Sequence, residues 1–417
     1  MTSHPHRLLS FSIIPGLLSV WVATLASLLA FADSARAGDW PRWRGPNLDG
    51  ISQETGWVAN WPQEGPKKLW EADLGVGYSS FSVAQGRVYT MGNRNQMDVV
   101  WCLDAETGKV HWQHEYPCSP KDPNGYLGTR CTPTVDGDRV YSVSRDGQFF
   151  CLDAAKGTVV WSKKFKQDFG AKPPTWGYSG SPLIEKDWVL YEVGASNAAV
   201  VAFDKKTGAV VWQNGKSPAG YSSLTPFDVD GERLLAVFPA AHFVVVRMKD
   251  GSEVGRIPWK TSYGVNAATP VIAGSQIFIS SGYGFGCALL SVDGSGLKEV
   301  WRNKAMRNHV NSCVLWQGYL YGFDESDLKC LELKSGEVKW ANNDFGKGSL
   351  NLAGGRLIIY SQSGKLVTAD PSPSGFKAIS SAQILDGKDT WAVPVLANGR
   401  IYCRSLDKAA CVDVKGK

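Results

Sequence analysis

The chain has 417 residues, with 43% hydrophobic and 20% charged side chains, a composition that excludes a disordered or low-complexity protein. Its formal net charge of +5 is spread along the chain, too small and too diffuse for a nucleic-acid binder. Gly 45 and Trp 17 are both high, which suits many tight turns and many large apolar anchors.

The chain opens with Arg7, an uncharged run from Leu8 to Ala32, and Ala35-Arg36-Ala37 before Gly38. A basic start, an apolar core and an Ala-x-Ala site define a secretory signal over residues 1–37, with export to the periplasm or medium. The run is long enough to span a bilayer, so an uncleaved N-terminal anchor is the alternative and the one expected contact with a membrane. Residues 38–66 form an arm with neither strand nor helix period. Its Trp40, Trp43, Trp57 and Trp61 would be costly to leave in water, so the arm is expected to lie packed on the body.

From Lys67 to the end the chain repeats. Cys102-Leu-Asp-Ala-Glu-Thr-Gly-Lys-Val-His-Trp112 returns as Cys151-Leu-Asp-Ala-Ala-Lys-Gly-Thr-Val-Val-Trp161 and Ala202-Phe-Asp-Lys-Lys-Thr-Gly-Ala-Val-Val-Trp212, and later as Cys330-Leu-Glu-Leu-Lys-Ser-Gly-Glu-Val-Lys-Trp340. An acid that accepts turn amides, then a glycine able to take φ > 0, joins two antiparallel strands in each copy. Upstream of each pair lies an inner strand. The inner strands are Ser80-Phe-Ser-Val, Thr132-Pro-Thr-Val, Ser181-Pro-Leu-Ile, Thr225-Pro-Phe-Asp, Thr269-Pro-Val-Ile, Ser312-Cys-Val-Leu, Leu350-Asn-Leu-Ala and Val393-Pro-Val-Leu. Trp301 closes the fifth copy, whereas the fourth and seventh place Gly255 and Ile379 where tryptophan is expected.

The eighth copy ends without its last strand, and an orphan strand ending at Trp70 precedes the first. Spacings of about 40–50 residues suit four-stranded units and are too long for helix pairs. The expected fold is all-β: an eight-bladed propeller of four-stranded antiparallel blades over residues 67–417. Its ring is closed by the N-terminal strand near Leu69 pairing with Val412. Trp70, Trp112, Trp161, Trp212, Trp301 and Trp340 are expected to dock blade on blade.

Of nine cysteines, Cys102, Cys151, Cys330 and Cys411 share one repeat position, which reads as small packing residues. Cys118 and Cys131, flanking a Pro/Gly loop, are the one pair open to bridging. His111 and His114 sit on a strand where they do not converge on a metal, and Gly282-Tyr-Gly-Phe-Gly286 reads as a turn.

These copies resemble the pyrroloquinoline-quinone (PQQ) repeat family of propellers over nearly all of 67–414, and Trp40-Pro-Arg-Trp-Arg-Gly-Pro-Asn-Leu-Asp-Gly-Ile-Ser52 is similar to the leader of exported bacterial members. The resemblance implies one of two functions. One is a non-catalytic scaffold of the cell envelope, like the accessory propeller of outer-membrane barrel assembly. It would bind an envelope protein, peptide or glycan, as a monomer and without cofactor. The alternative is a PQQ- and Ca²⁺-dependent alcohol dehydrogenase.

In such dehydrogenases the quinone lies in the central channel. The channel-mouth residues here are Tyr78, Arg130, Trp176, Tyr178, Tyr221, Tyr263, Asn266, His309, Asn311, Lys347 and Trp391, a set suited to a flat or anionic ligand. A dehydrogenase also needs carboxylates for the cation and as base. Asp389 is the nearest, with Asp168 and Asp324 further off, and the family's adjacent-cysteine bridge has no counterpart. A scaffold is therefore the expected function.

Overall fold

The computed structural model describes residues 38–121, 125–387 and 389–416. The proposed signal or anchor lies outside the described residues. Among them the strands form eight sheets, seven built from consecutive antiparallel strands: 82–117, 134–164, 183–214, 225–258, 271–303, 314–342 and 349–383. The eighth takes three strands from 395–413 and its outer strand, Lys68–Asp73, from the other end of the chain. Lys68 faces Val412 and Trp70 faces Cys411 across that antiparallel pair. These are the eight blades of a closed propeller, numbered 1 to 8 below. The only helical turns among the described residues are Phe165–Phe169 and Ser262–Gly264.

Each repeat element has a physical job at a blade junction. The acid caps its turn: Asp104 Oδ1 accepts from Thr107 N at 2.8 Å, and Asp204 Oδ1 from Thr207 N at 2.8 Å. The turn glycine holds φ between +69° and +72° at Gly108, Gly157, Gly208, Gly251 and Gly336. That glycine also lies flat on the tryptophan of the preceding blade, and a Cβ at Gly157 would stand 2.5 Å from Trp112 Cε3.

The indole N–H groups complete the contact. Trp70 donates to Ala105 O at 3.2 Å, Trp112 to Ala154 O at 2.9 Å, Trp161 to Lys205 O at 3.0 Å, Trp301 to Leu333 O at 3.1 Å and Trp340 to Ser372 O at 2.7 Å. Trp212 rests on Gly251 without an acceptor for its N–H. The shared cysteine position sits directly opposite the indole, as in Cys102↔Trp112 and Cys330↔Trp340, where a small side chain leaves the ring room. Cys118 and Cys131 are separate buried thiols of one core cluster.

Two registers differ from the sequence reading. In blade 7 the bulge falls between Thr368 and Ala369, so Ser380, one residue beyond Ile379, takes the tryptophan position. The missing indole is supplied by the arm. Trp61, 8% exposed, packs with Ala382, Ile401 and Val412 between blades 7 and 8, and its backbone amide, not its indole, donates to Ser380 Oγ at 3.1 Å. In blade 4 the inner-strand hydroxyl is Ser223, two residues before Thr225. The Ser181 amide donates to Ser223 Oγ at 2.9 Å, as Thr132 N donates to Ser181 Oγ at 3.2 Å.

The first part of the arm enters the channel. Trp40 and Val83 of blade 1 exchange both backbone hydrogen bonds at 2.8 Å, and Val135 N of blade 2 donates to Pro41 O at 2.8 Å. Arg44, buried, donates to Cys313 O at 2.9 Å beside blade 6, and Ile51–Ser52 adds a parallel strand to the inner edge of blade 7. Leu48 packs on the core between blades 3 and 4.

Between blades 3 and 4, Glu192 is fully buried beside a cavity of about 10 Å³ and accepts from Gly220 N at 3.2 Å. Burial pushes its carboxyl up to about 8 from the usual 4.5. The native chain therefore keeps a proton that the unfolded chain releases near pH 4.5, so this group makes stability fall as pH rises from about 4.5 to 8. Glu192→Gln keeps an oxygen for Gly220 and removes the titration. Urea titrations are expected to show little difference at pH 4, and a variant more stable by on the order of 4 kcal/mol above pH 8.

Candidate functional site

The loops leading into the inner strands converge on a cavity of about 160 Å³ at one end of the channel. Hydroxyls joining the blades set its geometry. Ser80 N donates to Thr132 Oγ1 at 3.0 Å, and the chain of such bonds continues through Ser181 to Ser223, with Thr269 N to Ser312 Oγ at 2.8 Å on the far side. The residue two positions before each hydroxyl faces the channel, as alternate residues of an extended backbone share a side, and beside Val310 the neighbours His309 and Asn311 reach the cavity as well. Tyr78, Arg130, Ser179, Tyr221, Ala267 and Val310 occupy that position and line the cavity, as does Trp391 in blade 8.

Of the residues expected from the sequence, Tyr78, Arg130, Trp176, Tyr221, His309, Asn311 and Trp391 are brought together here. Tyr178 is not: it lies in the core with Phe165 and Tyr191, its hydroxyl donating to Val193 O at 2.8 Å. Asn266 is fully buried and pins a backbone corner, donating to Pro239 O at 2.7 Å and accepting from Ser281 Oγ at 3.0 Å. Lys347 stands behind the wall with Nζ 2.7 Å from His309 Nδ1. Tyr263, 73% exposed, stands outside the cavity with its ring 5.7 Å from Trp176.

Three aromatic lining residues escaped the sequence reading, beside the small residues Ser179 and Ala267. Tyr126 and Tyr283 come from other loops, and Trp43 comes from the arm. Trp43 N–H donates to Thr269 Oγ1 at 2.9 Å, and the ring lines both this cavity and a smaller one deeper in the channel. The arm thus floors the channel and makes the cavity blind.

The walls are aromatic and carry little charge. Tyr78 and Trp391 stack at 5.1 Å and 17°, with Tyr126 against Trp391 at 5.8 Å and Trp176 against Tyr221 at 5.9 Å. Arg130 donates to Gly128 O at 2.8 Å and Tyr126 O at 3.2 Å. No Asp or Glu lines the cavity among the described residues. Asp389 meets Gln362 Nε2 at 3.4 Å, Asp168 accepts from Lys164 N, and Asp324 is held by Arg307 and Lys329. Ca²⁺ needs oxygen ligands rich in carboxylate, and a quinone dehydrogenase needs a carboxylate base. The donors present suit neither, although the aromatic walls would accept a flat ring.

The fold and its turn signature define a propeller of the PQQ-repeat class with a blind aromatic pocket. A family model described as outer membrane protein assembly factor BamB matches residues 119–342, just over half of the chain. The chain belongs to that family. BamB of Yersinia pestis is 24% identical over 370 residues, spanning 82% of this chain and 87% of that protein. The dehydrogenase subunit of a quinone alcohol dehydrogenase from Komagataeibacter europaeus is 31% identical over 168 residues, 36% of this chain and 22% of that protein. This chain spans about a fifth of the length of the first curated relatives it matches. Among solved structures, BamB from Moraxella catarrhalis superposes with a TM-score of 0.60 at 16% identity, over 84% of this chain and 98% of that one. A quinohemoprotein alcohol dehydrogenase from Pseudomonas putida gives 0.65 at 12%, over 91% and 81%.

Proposed function

We propose that the chain is an exported, non-catalytic propeller of the cell envelope that holds an envelope partner on its pocket face, without PQQ or a metal. The observation that carries this reading is the pocket: aromatic walls, a floor made by the chain's own arm, and no carboxylate among the described lining residues. The long match to BamB of Yersinia pestis supports it, whereas the quinone dehydrogenases match over a minor part of their length.

Two measurements on the purified protein test it. Affinity capture from the native envelope fraction is expected to retain a partner that Trp176→Ala releases. Titration with PQQ and Ca²⁺ is expected to give no stoichiometric complex and no dye-linked alcohol oxidation. Tight Ca²⁺-dependent PQQ binding with turnover would overturn the proposal in favour of the dehydrogenase.

A further inference from the structure

The pocket offers mainly neutral donors, and the one charged side chain among its described lining residues, Arg130, directs its guanidinium at Gly128 O and Tyr126 O. Thr132 Oγ1, Ser181 Oγ and Ser223 Oγ each accept a backbone N–H from the neighbouring blade, and all three line the cavity. A hydroxyl that accepts at its oxygen keeps its own proton to give. Across the cavity, the Lys347 ammonium 2.7 Å from His309 Nδ1 has only protons to offer. Nδ1 is therefore the acceptor, and the imidazole proton sits on Nε2. Burial and the Lys347 charge push His309 down to about 4, so the ring stays neutral at physiological pH.

This chemistry discriminates among ligands. A cationic group would meet hydroxyl and imidazole donors with no lining carboxylate among the described residues. An anion would find the Arg130 guanidinium directed at Gly128 O and Tyr126 O, and the Lys347 charge at His309 and Glu325, with Nζ 3.9 Å from Glu325 Oε2. A purely apolar side chain would bury the hydroxyl protons without acceptors, an uncompensated desolvation. A sugar ring answers both surfaces: its C–H face packs on indole and phenol rings, and its oxygens accept from the belt. The cavity of about 160 Å³ holds on the order of ten waters, the scale of one six-membered sugar ring.

We infer that the pocket binds a neutral saccharide, with one pyranose ring against the Tyr78–Trp391 stack and its oxygens on the Ser181, Ser223 and His309 donors. This assignment rests on the reading of the pocket face as the binding surface.

The test is calorimetric titration of the full folded chain with methyl glucoside, methyl mannoside and chitobiose, beside glucuronate, benzoate, choline and a tyrosine-containing peptide. Saturable heat is expected from a neutral sugar, with affinity constant within about twofold from low to high salt. Trp391→Ala is expected to weaken it by roughly tenfold or more, and Trp391→Phe, which keeps a ring face, to retain most of it. Should Trp391→Ala fail to fold, Tyr78→Ala, which removes the other ring of the stack, serves in its place. Binding only of glucuronate or benzoate with steep salt dependence, of choline, or of the peptide would overturn the assignment, as would silence from every neutral sugar. If no sugar binds while the envelope partner is still captured through Trp176, the saccharide assignment falls alone and the scaffold stands.

Discussion

Arg404→Met is expected to cost on the order of 3–5 kcal/mol, read as a lower denaturant midpoint with an unchanged slope. Arg404 is 1% exposed and lies on blade 8, yet its guanidinium donates to Ser79 O at 3.3 Å, Thr90 Oγ1 at 3.0 Å, Met91 O and Gly75 O at 3.0 Å. All four acceptors belong to blade 1 or to the segment leading into it. One planar fork thus joins the last blade to the first beside the strand that closes the ring. Methionine fills much of the volume but withdraws the guanidinium's hydrogen bonds from three carbonyls and a hydroxyl, all in the interior. Arg404→Lys keeps the charge and loses the fork, so an intermediate loss is expected. A loss below about 1 kcal/mol for Arg404→Met would show that the closure does not depend on this network.

The second large effect lies at the repeat turn. Gly157→Ala is expected to cost about 3–4 kcal/mol, made of the αL penalty of about 1–2 and displacement of the Trp112 ring. Trp112→Ala alone is expected to cost about 3–5 kcal/mol. In the double variant the methyl no longer meets an indole, so the combined loss should fall short of the sum by about 1–3 kcal/mol. Additivity within about 0.5 kcal/mol would contradict face-to-face docking of the repeat's glycine on the preceding blade's tryptophan.

Most of the fold was legible because the residues that define it act locally and recur. The acid, the glycine and the tryptophan sit at fixed offsets, and the orphan strand at Trp70 announced where the ring would close. What slipped were positions where a local pattern was imitated or outsourced. Thr225-Pro226 looks like Ser181-Pro182, but the belt hydroxyl is Ser223, which only the inter-blade hydrogen bond reveals. Blade 7 has no tryptophan of its own because Trp61 arrives from a distant stretch of chain.

The site was half legible for a related reason. Counting back two residues from each belt hydroxyl selects Ser179 and Ala267, not their neighbours Tyr178 and Asn266, which alternation turns into the blades. Choosing residues by chemical type favoured the wrong member of each pair. Trp43 carried no such signal: nothing local in the arm says that it runs through the channel, and its destination depends on contacts with inner strands far along the chain.

The pocket face as binding surface is tested most directly by site-specific photo-crosslinking in the native envelope. Benzoylphenylalanine placed at Tyr263, 73% exposed beside Trp176, reports on the pocket rim, and the same group at Val160, 42% exposed on the outer strand of blade 2, reports on the blade edges. The account predicts a discrete crosslinked envelope component from position 263, lost when Trp176→Ala is added, and none from position 160. Crosslinking from position 160 with none from 263 would contradict it.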